Sequence, residues 1–254
     1  LHYAIKSNPM PAVVQHLARL VDGLDVASVA EMHVALDTGT APEHISFAGP
    51  GKHPRELTSA VAAGIVINAE SELEVDRLIA AGEALGVTPK IALRVNPDFE
   101  LKSSGMKMGG GARQFGLDVE RVPQLLTRLR GSHVQLHGLH IFSGSQNLRP
   151  EAIAQAQSNP FDLAYRLTEQ AGVNLRFLNI GGGLGIPYFP GDTRLNLNHV
   201  GEQLEELMVV ARERLPHTEI VMELGRFLVG EAGVYICRVI DRKISRNQVF
   251  LITA

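Results

Sequence analysis

The sequence predicts an α/β protein folded as a (β/α)8 TIM barrel, and three observations carry that expectation. Eight short apolar, β-branched runs alternate with amphipathic segments of helical period, which implies parallel strands joined by crossover helices. The length, 254 residues, suits eight strand–helix units. Polar and glycine residues gather just after the runs, where a barrel carries its chemistry. An open doubly wound sheet is the alternative that the same alternation allows.

The first run, "LHYAI", meets Lys6 and the turn Ser7-Asn8-Pro9. A helical segment over 12–21 leads to "GLDVAS", which carries Asp25 and Ser28. A helix over 30–37 leads to "HISFAG", followed by Gly49, Gly51 and Lys52. The helix over 54–63 precedes "GIVINAE", with Asn68, Glu70 and Ser71 at its end. Over 71–85, apolar residues recur at three and four, through Leu73, the stem of Arg77, Leu78, Ile79 and Leu85. "KIALRVNP" brings Arg94 and Asn96; an irregular stretch over 98–114, with Gly109 to Gly111, separates it from a helix over 119–129. "VQLHGLHIFSG" carries His140, Phe142 and Ser143, with Ser145 and Gln146 beyond. A helix over 151–170 leads to "LRFLNIGGG", ending on Gly181, Gly182 and Gly183. A second irregular stretch, 185–198, and a helix over 201–215 precede "EIVMELG", with Glu223, Gly225 and Arg226. The final "VFLITA" reads as another strand.

Apolar residues make up 45% and charged residues 20%, ordinary for a globular chain. A net charge of -3 makes no field that favours nucleic acid or an anionic membrane, and neither is an expected partner. One cysteine, Cys237, permits no internal disulfide framework and no Cys-based zinc site; no metal is expected. It fits a reducing, cytoplasmic compartment. Its place in "VYICRVI" predicts a buried core thiol. No run of 18 apolar residues spans a membrane, and no secretory signal is present. The chain opens without Met, inside an apolar strand, and both ends read as cut from something longer.

An apolar strand that ends on an amine has two readings. Lys6 is either a solvated surface group or a nucleophile. The loops after the seventh and eighth runs, where barrels often bind phosphate, read "NIGGGLG" and "ELGR". Three glycines let backbone N–H groups converge on an anion, and Arg226 adds a charge-assisted bond. The plainer reading of the glycines is a tight turn. No GxxxxGK[ST] motif occurs, and "GGGLG" is a weak dinucleotide signal. An anion site opposite a strand-end lysine suggests pyridoxal phosphate (PLP), whose aldehyde takes an amine. Glu223 is the candidate partner of the pyridine nitrogen; a salt bridge to Arg226 is its alternative role.

The motifs "YAIKSNP", "LDVASVAE", "SFAGPGK", "INAES", "RVNPD", "LHIFSGSQ", "NIGGGLG" and "ELGR" occur in the order found in fold type III PLP-dependent decarboxylases. The chain resembles that ornithine/diaminopimelate decarboxylase family along nearly its whole length. The resemblance implies an alanine-racemase-like PLP-binding barrel over 1–254 and a following β-domain that this chain lacks. It implies that Lys6 is the Schiff-base lysine and that Gly181, Gly182 and Gly183 bind the phosphate. Glu223 matches the acid on the pyridine nitrogen. Gly225, Arg226 and Ser145 match phosphate-side contacts, and Asp25 and Arg94 match polar residues lining the cofactor pocket. Phe142 stands where the family carries a histidine over the cofactor ring, with His140 two residues earlier on the same strand face. "ELGR" has Leu224 where the family has proline. The stretch "FELKSSGMKMGGGARQFG", with "HIFSGSQ" and "GIPYFPG", resembles the exosortase-associated subgroup. A related branch acts on amino acids carried by acyl-carrier proteins.

The expected activity is α-decarboxylation of an amino acid or amino-acid derivative, free or carrier-bound, by a homodimer. A racemase on the same barrel, a PLP-binding protein without turnover and an unrelated barrel enzyme are the alternatives. Specificity is expected from the absent domain, the 99–114 segment and the loop after Gly185.

Overall fold

The computed structural model of the chain describes residues 1–100, 106–107 and 109–254. Part of the 99–114 segment, residues 101–105 and 108, therefore lies outside the described residues.

All eight expected runs are strands: β1 (His2–Ala4), β2 (Gly23–Val26), β3 (Ile45–Phe47), β4 (Val66–Ala69), β5 (Lys90–Asn96), β6 (Gln135–Ile141), β7 (Phe177–Gly182) and β8 (Glu219–Leu224). Each pairs in parallel with its neighbours in sequence order. The ring closes where β1 pairs with β8, His2 opposite Glu223. This is a closed (β/α)8 barrel.

The outer helices are α1 (Pro11–Leu17), α2 (Val29–Leu36), α3 (Pro54–Ala63), α4 (Glu72–Leu85), α5 (Val122–Arg130), α6 (Pro150–Ala171) and α7 (Leu197–Arg214). Their starts follow capping chemistry. Ser28 and Ser71 accept backbone N–H groups from Glu31 and Glu74, and His53 with Glu56 forms a capping box. Helix α7 begins at Leu197, before the expected 201, because Asn196 Oδ1 accepts the N–H groups of Asn198 and His199.

Alternation along the strands divides two environments. Outward residues such as Tyr3, Leu24, Phe47, Ile67, Leu93, Leu139 and Leu178 pack under the helices in one apolar core. Between them, each strand contributes at least one buried polar side chain, among them His2, Asp25, Ser46, Asn68, Arg94, His140, Asn179 and Glu223. Interiors of such barrels are usually filled by branched apolar residues. Here they hold hydrogen-bonding groups, and buried polar groups on this scale are stable only in mutual contact.

Two expectations are corrected. The first strand is shorter than the run Leu1 to Ile5 and gives way to a turn before Lys6. Strand β1 stops at Ala4, and Lys6 sits in a 3-10 turn, Ile5–Ser7. Cys237 is exposed rather than buried. After the short α8 (Arg226–Val229), the chain leaves the barrel and ends in an antiparallel hairpin, β9 (Val239–Ser245) and β10 (Gln248–Thr253). Its apolar residues, including Phe250 and Leu251, are exposed, so the run around Cys237 does not join the core. Among the described residues, no helix is long and apolar enough to cross a membrane.

Candidate active site

A cavity of about 710 Å3 opens at the C-terminal mouth of the barrel, lined by Lys6, Ser145, Gly183, Glu223, Gly225 and Arg226 among others. The strand ends of β1, β6, β7 and β8 thus converge, although they come from opposite ends of the chain.

Lys6 projects from a tied turn. Tyr3 Oη donates to Asn8 O at 3.0 Å, and Ser7 Oγ donates to Ala4 O at 2.9 Å. Buried Ile5 anchors the turn in the core, leaving the flanking lysine exposed to the cavity. A Cβ on Gly225 would lie 3.2 Å from Ser7 Cβ and 3.3 Å from Ala4 Cβ. The loop after β8 therefore rests directly on the lysine turn.

The glycine run closes on its neighbours. Gly183 has φ +80°, in the left-handed region, and a Cβ there would overlap Gly144 O. Both features exclude side chains and leave the backbone facing the cavity. Gly183→Ala is expected to destabilise the protein by about 1–3 kcal/mol from left-handed strain alone. Urea denaturation measures this; a midpoint equal to wild type would show that the turn yields.

Arg226 leans over this turn. Its Nη1 donates to Gln146 Oε1 at 3.4 Å, and its guanidinium lies 5.7 Å from the Tyr188 ring centroid. Gln146 also donates to Ile186 O at 2.5 Å and accepts from Ile186 N at 3.3 Å. It does so at φ +60°, uncommon for a residue other than glycine. Gln146 thereby pins the segment after Gly185 and orients Arg226. Sequence reasoning missed this role, because only the folded loop shows what the amide grips.

Glu223 is buried below the mouth. His140 Nε2 lies 3.2 Å from its Oε2, and Asn179 Nδ2 donates to the same oxygen at 3.4 Å. Burial pushes this carboxyl up. The hydrogen bond and charge of His140, with the charges of Lys6 and Arg94, outweigh burial and hold it well below the usual carboxylate range. The salt bridge to Arg226 considered from sequence is not the arrangement: His140 takes that place.

Among the expected site residues, Lys6, Phe142, Ser145, Gly183, Glu223, Gly225 and Arg226 line the cavity. Phe142 contacts the ring of His140 edge-on, with centroids 6.4 Å apart. Gly181, Gly182 and His140 stand directly behind these residues, whereas Asp25 and Arg94 lie deeper in the barrel and do not line it. Asp25 Oδ1 accepts from Ser46 Oγ at 2.5 Å and faces His2 Nδ1 at 3.1 Å. Arg94 donates to Glu70 Oε1 at 2.9 Å and stacks on Phe115, 4.8 Å from the ring centroid. Glu70 also accepts the N–H groups of Gly49, at 2.6 Å, and Gly116, at 3.0 Å, so one carboxylate joins the loops after β3, β4 and β5. Beside it, buried Lys52 pairs with Glu74 at 2.7 Å.

Residues 1–230 match the family described as pyridoxal-dependent decarboxylase, pyridoxal binding domain. The chain is 35% identical over 244 residues to the L-glutamyl-[BtrI acyl-carrier protein] decarboxylase of Niallia circulans, covering 93% of this chain and 57% of that protein. It is 34% identical over 253 residues to diaminopimelate decarboxylase of Aquifex aeolicus, covering 98% and 59%. The crystal structure of Helicobacter pylori diaminopimelate decarboxylase with L-lysine superposes with a TM-score of 0.81 at 28% identity, covering all of this chain and 63% of that one. The chain thus spans less than two thirds of the length of each of these relatives.

Proposed function

The chain belongs to the pyridoxal-dependent decarboxylases, whose pyridoxal-binding domain it carries, and from that premise we propose that the full-length protein releases the α-carboxylate of an amino acid or amino-acid derivative as CO2. The observation that carries this reading is the convergence of one amine, one anion-binding turn and one buried carboxylate on a single cavity. The residues fit PLP on their own geometry: a side chain at Gly183 would fill the turn, and Glu223 is an anion at the cavity floor.

Bound PLP supplies an electron sink for the carbanion left when CO2 departs. Lys6 Nζ is the amine that would hold the cofactor aldehyde and, once free, could carry a proton to or from the reacting carbon. The glycine turn, where Gly183 reaches the cavity, and the Arg226 guanidinium would hold the phosphate, with Ser145 beside them. Glu223, whose carboxyl is held below the usual range by His140, Lys6 and Arg94, would keep a proton on the pyridine nitrogen. Phe142, which lines the cavity, would offer an apolar face to the ring. Glu223 also favours decarboxylation over racemisation, since a strong sink suits loss of CO2.

The substrate in this reading is a free or carrier-bound amino acid. The resemblance to a decarboxylase acting on a glutamyl carrier protein supports the second form. A β-domain beyond the barrel and a second copy of the chain complete the site, in the cytoplasm. The test is a CO2-release screen of the full-length protein on free and carrier-loaded amino acids. CO2 from at least one substrate is expected. Loss of optical activity without CO2 would assign a racemase, and stoichiometric PLP uptake without turnover would assign a binding protein.

A further inference from the structure

Inside the barrel, one polar residue touches both the glycine turn and the buried carboxylate. Asn179, on β7, is 1% exposed. Its Oδ1 accepts the backbone N–H of Gly181 at 2.8 Å, and its Nδ2 donates to Glu223 Oε2 at 3.4 Å. The amide sits where the ladder between β7 and β8 breaks. Asn179 pairs with Val221, but the next pairing is Gly182 with Glu223, so the register shifts between them. Gly181, at φ +71°, begins the turn at that break. Its N–H finds the Asn179 side chain as partner, which meets the demand of a buried donor.

We propose that Asn179 is a positioning residue that locks the glycine turn and the Glu223 carboxylate into one rigid unit, so that phosphate and pyridine nitrogen are gripped in fixed register. The inference rests on the PLP reading above. Only an amide suits both neighbours. The N–H of Gly181 needs an acceptor, the Glu223 anion needs a donor, and a primary amide carries one of each in a plane. A carboxylate offers two acceptors, and an aliphatic side chain offers neither.

The charged and titratable groups around Glu223 come from several elements: Lys6 from the turn after β1, His2 from β1, Arg94 from β5 and His140 from β6. Against this background, Asn179→Asp is the informative change. It keeps the shape and the acceptor for Gly181, but places a second carboxylate against Glu223. Two such anions in contact share a proton and titrate as a pair.

The test uses the full-length protein, measuring PLP affinity by fluorescence and the absorbance of bound PLP across about pH 5 to 9, a range wide enough to capture a raised carboxyl pKa. Asn179→Asp is expected to bind PLP within about threefold of wild type, because the turn keeps its acceptor. Its bound cofactor is expected to show a pH-dependent absorbance step that wild type lacks. Asn179→Leu is expected to lose about tenfold or more in PLP affinity, having orphaned the Gly181 N–H. Wild-type affinity and pH profile in both variants would overturn the proposal. So would weaker binding in both with an unchanged pH profile, which marks an ordinary packing role. If the leucine variant fails to fold, the pH profile of the isosteric aspartate variant decides alone. Wild-type protein that takes up no PLP would instead overturn the cofactor reading beneath it.

Discussion

Lys6→Ala in the full-length protein is expected to abolish borohydride-fixed attachment of PLP and to lower turnover by at least roughly 10^2–10^4-fold. That range is the usual effect of losing a positioned proton-transfer group, and loss of the covalent anchor adds to it. The reason lies in the turn. Bonds from Tyr3 and Ser7 hold Ile5–Ser7 in place, and the neighbouring loop packs on Ala4 and Ser7 through Gly225. No other lysine among the described residues lines this cavity; the buried Lys52 is spent on Glu74 and the carbonyl of Asn68. Mass spectrometry of the reduced protein is the check: wild type carries the label on the Lys6 peptide, and the variant carries none. A variant that retains the label elsewhere with wild-type turnover would remove Lys6 from the mechanism. Thermal stability should barely change, because the side chain is exposed.

Glu223→Gln carries the second large effect. The isosteric amide still accepts a hydrogen bond from His140, so PLP uptake should stay within about tenfold of wild type. Turnover should fall by roughly 10^2–10^3-fold, the usual loss when one preorganised electrostatic partner is removed. Turnover within threefold of wild type would exclude the ring-nitrogen role. The same variant also reports on stability against pH. The carboxyl pKa of Glu223 is depressed in the folded protein, so its contribution is full above the ordinary carboxylate pKa and lost as pH falls through the folded value. The stability gap between wild type and Glu223→Gln should therefore be widest near neutrality and narrow in acid, as urea midpoints at several pH values would show. A gap that widens in acid would mean that the carboxyl is not ionised in the folded state.

How much of this was legible differs from residue to residue. Lys6, Gly183, Glu223 and Arg226, singled out because each stands at or just beyond the end of an apolar run, line one cavity at the strand ends. The helices followed from apolar spacing, with errors only at ends such as that of α7, where one Asn196 side chain decides the start. Gln146 was named among the polar residues after the sixth run but without a role, and Asn179 lay unmarked in "NIGGGLG". Gln146 works through contacts with Ile186 and Arg226, 40 and 80 residues away. Asn179 works through a register break that no local pattern announces. Cys237 was misplaced because an apolar run looks the same whether it is buried or lies along an exposed hairpin.

Read alone, the chain dictates the barrel. The triplets Leu24-Asp25-Val26, Ile45-Ser46-Phe47, Leu93-Arg94-Val95, Leu139-His140-Ile141 and Leu178-Asn179-Ile180 each place one polar side chain between two apolar ones. In a strand of period two, this sends the apolar pair to the helices and the polar residue inward. The pattern settles which face each residue occupies, and it says nothing about which inward groups meet. Tertiary structure alone decided that Glu223 takes His140 and Asn179, that Arg226 takes Gln146, and that Arg94 takes Glu70. The physical reason is that periodicity is a local backbone property. Hydrogen-bond partners depend instead on stagger between strands and on side-chain reach across the barrel, which only the closed ring defines.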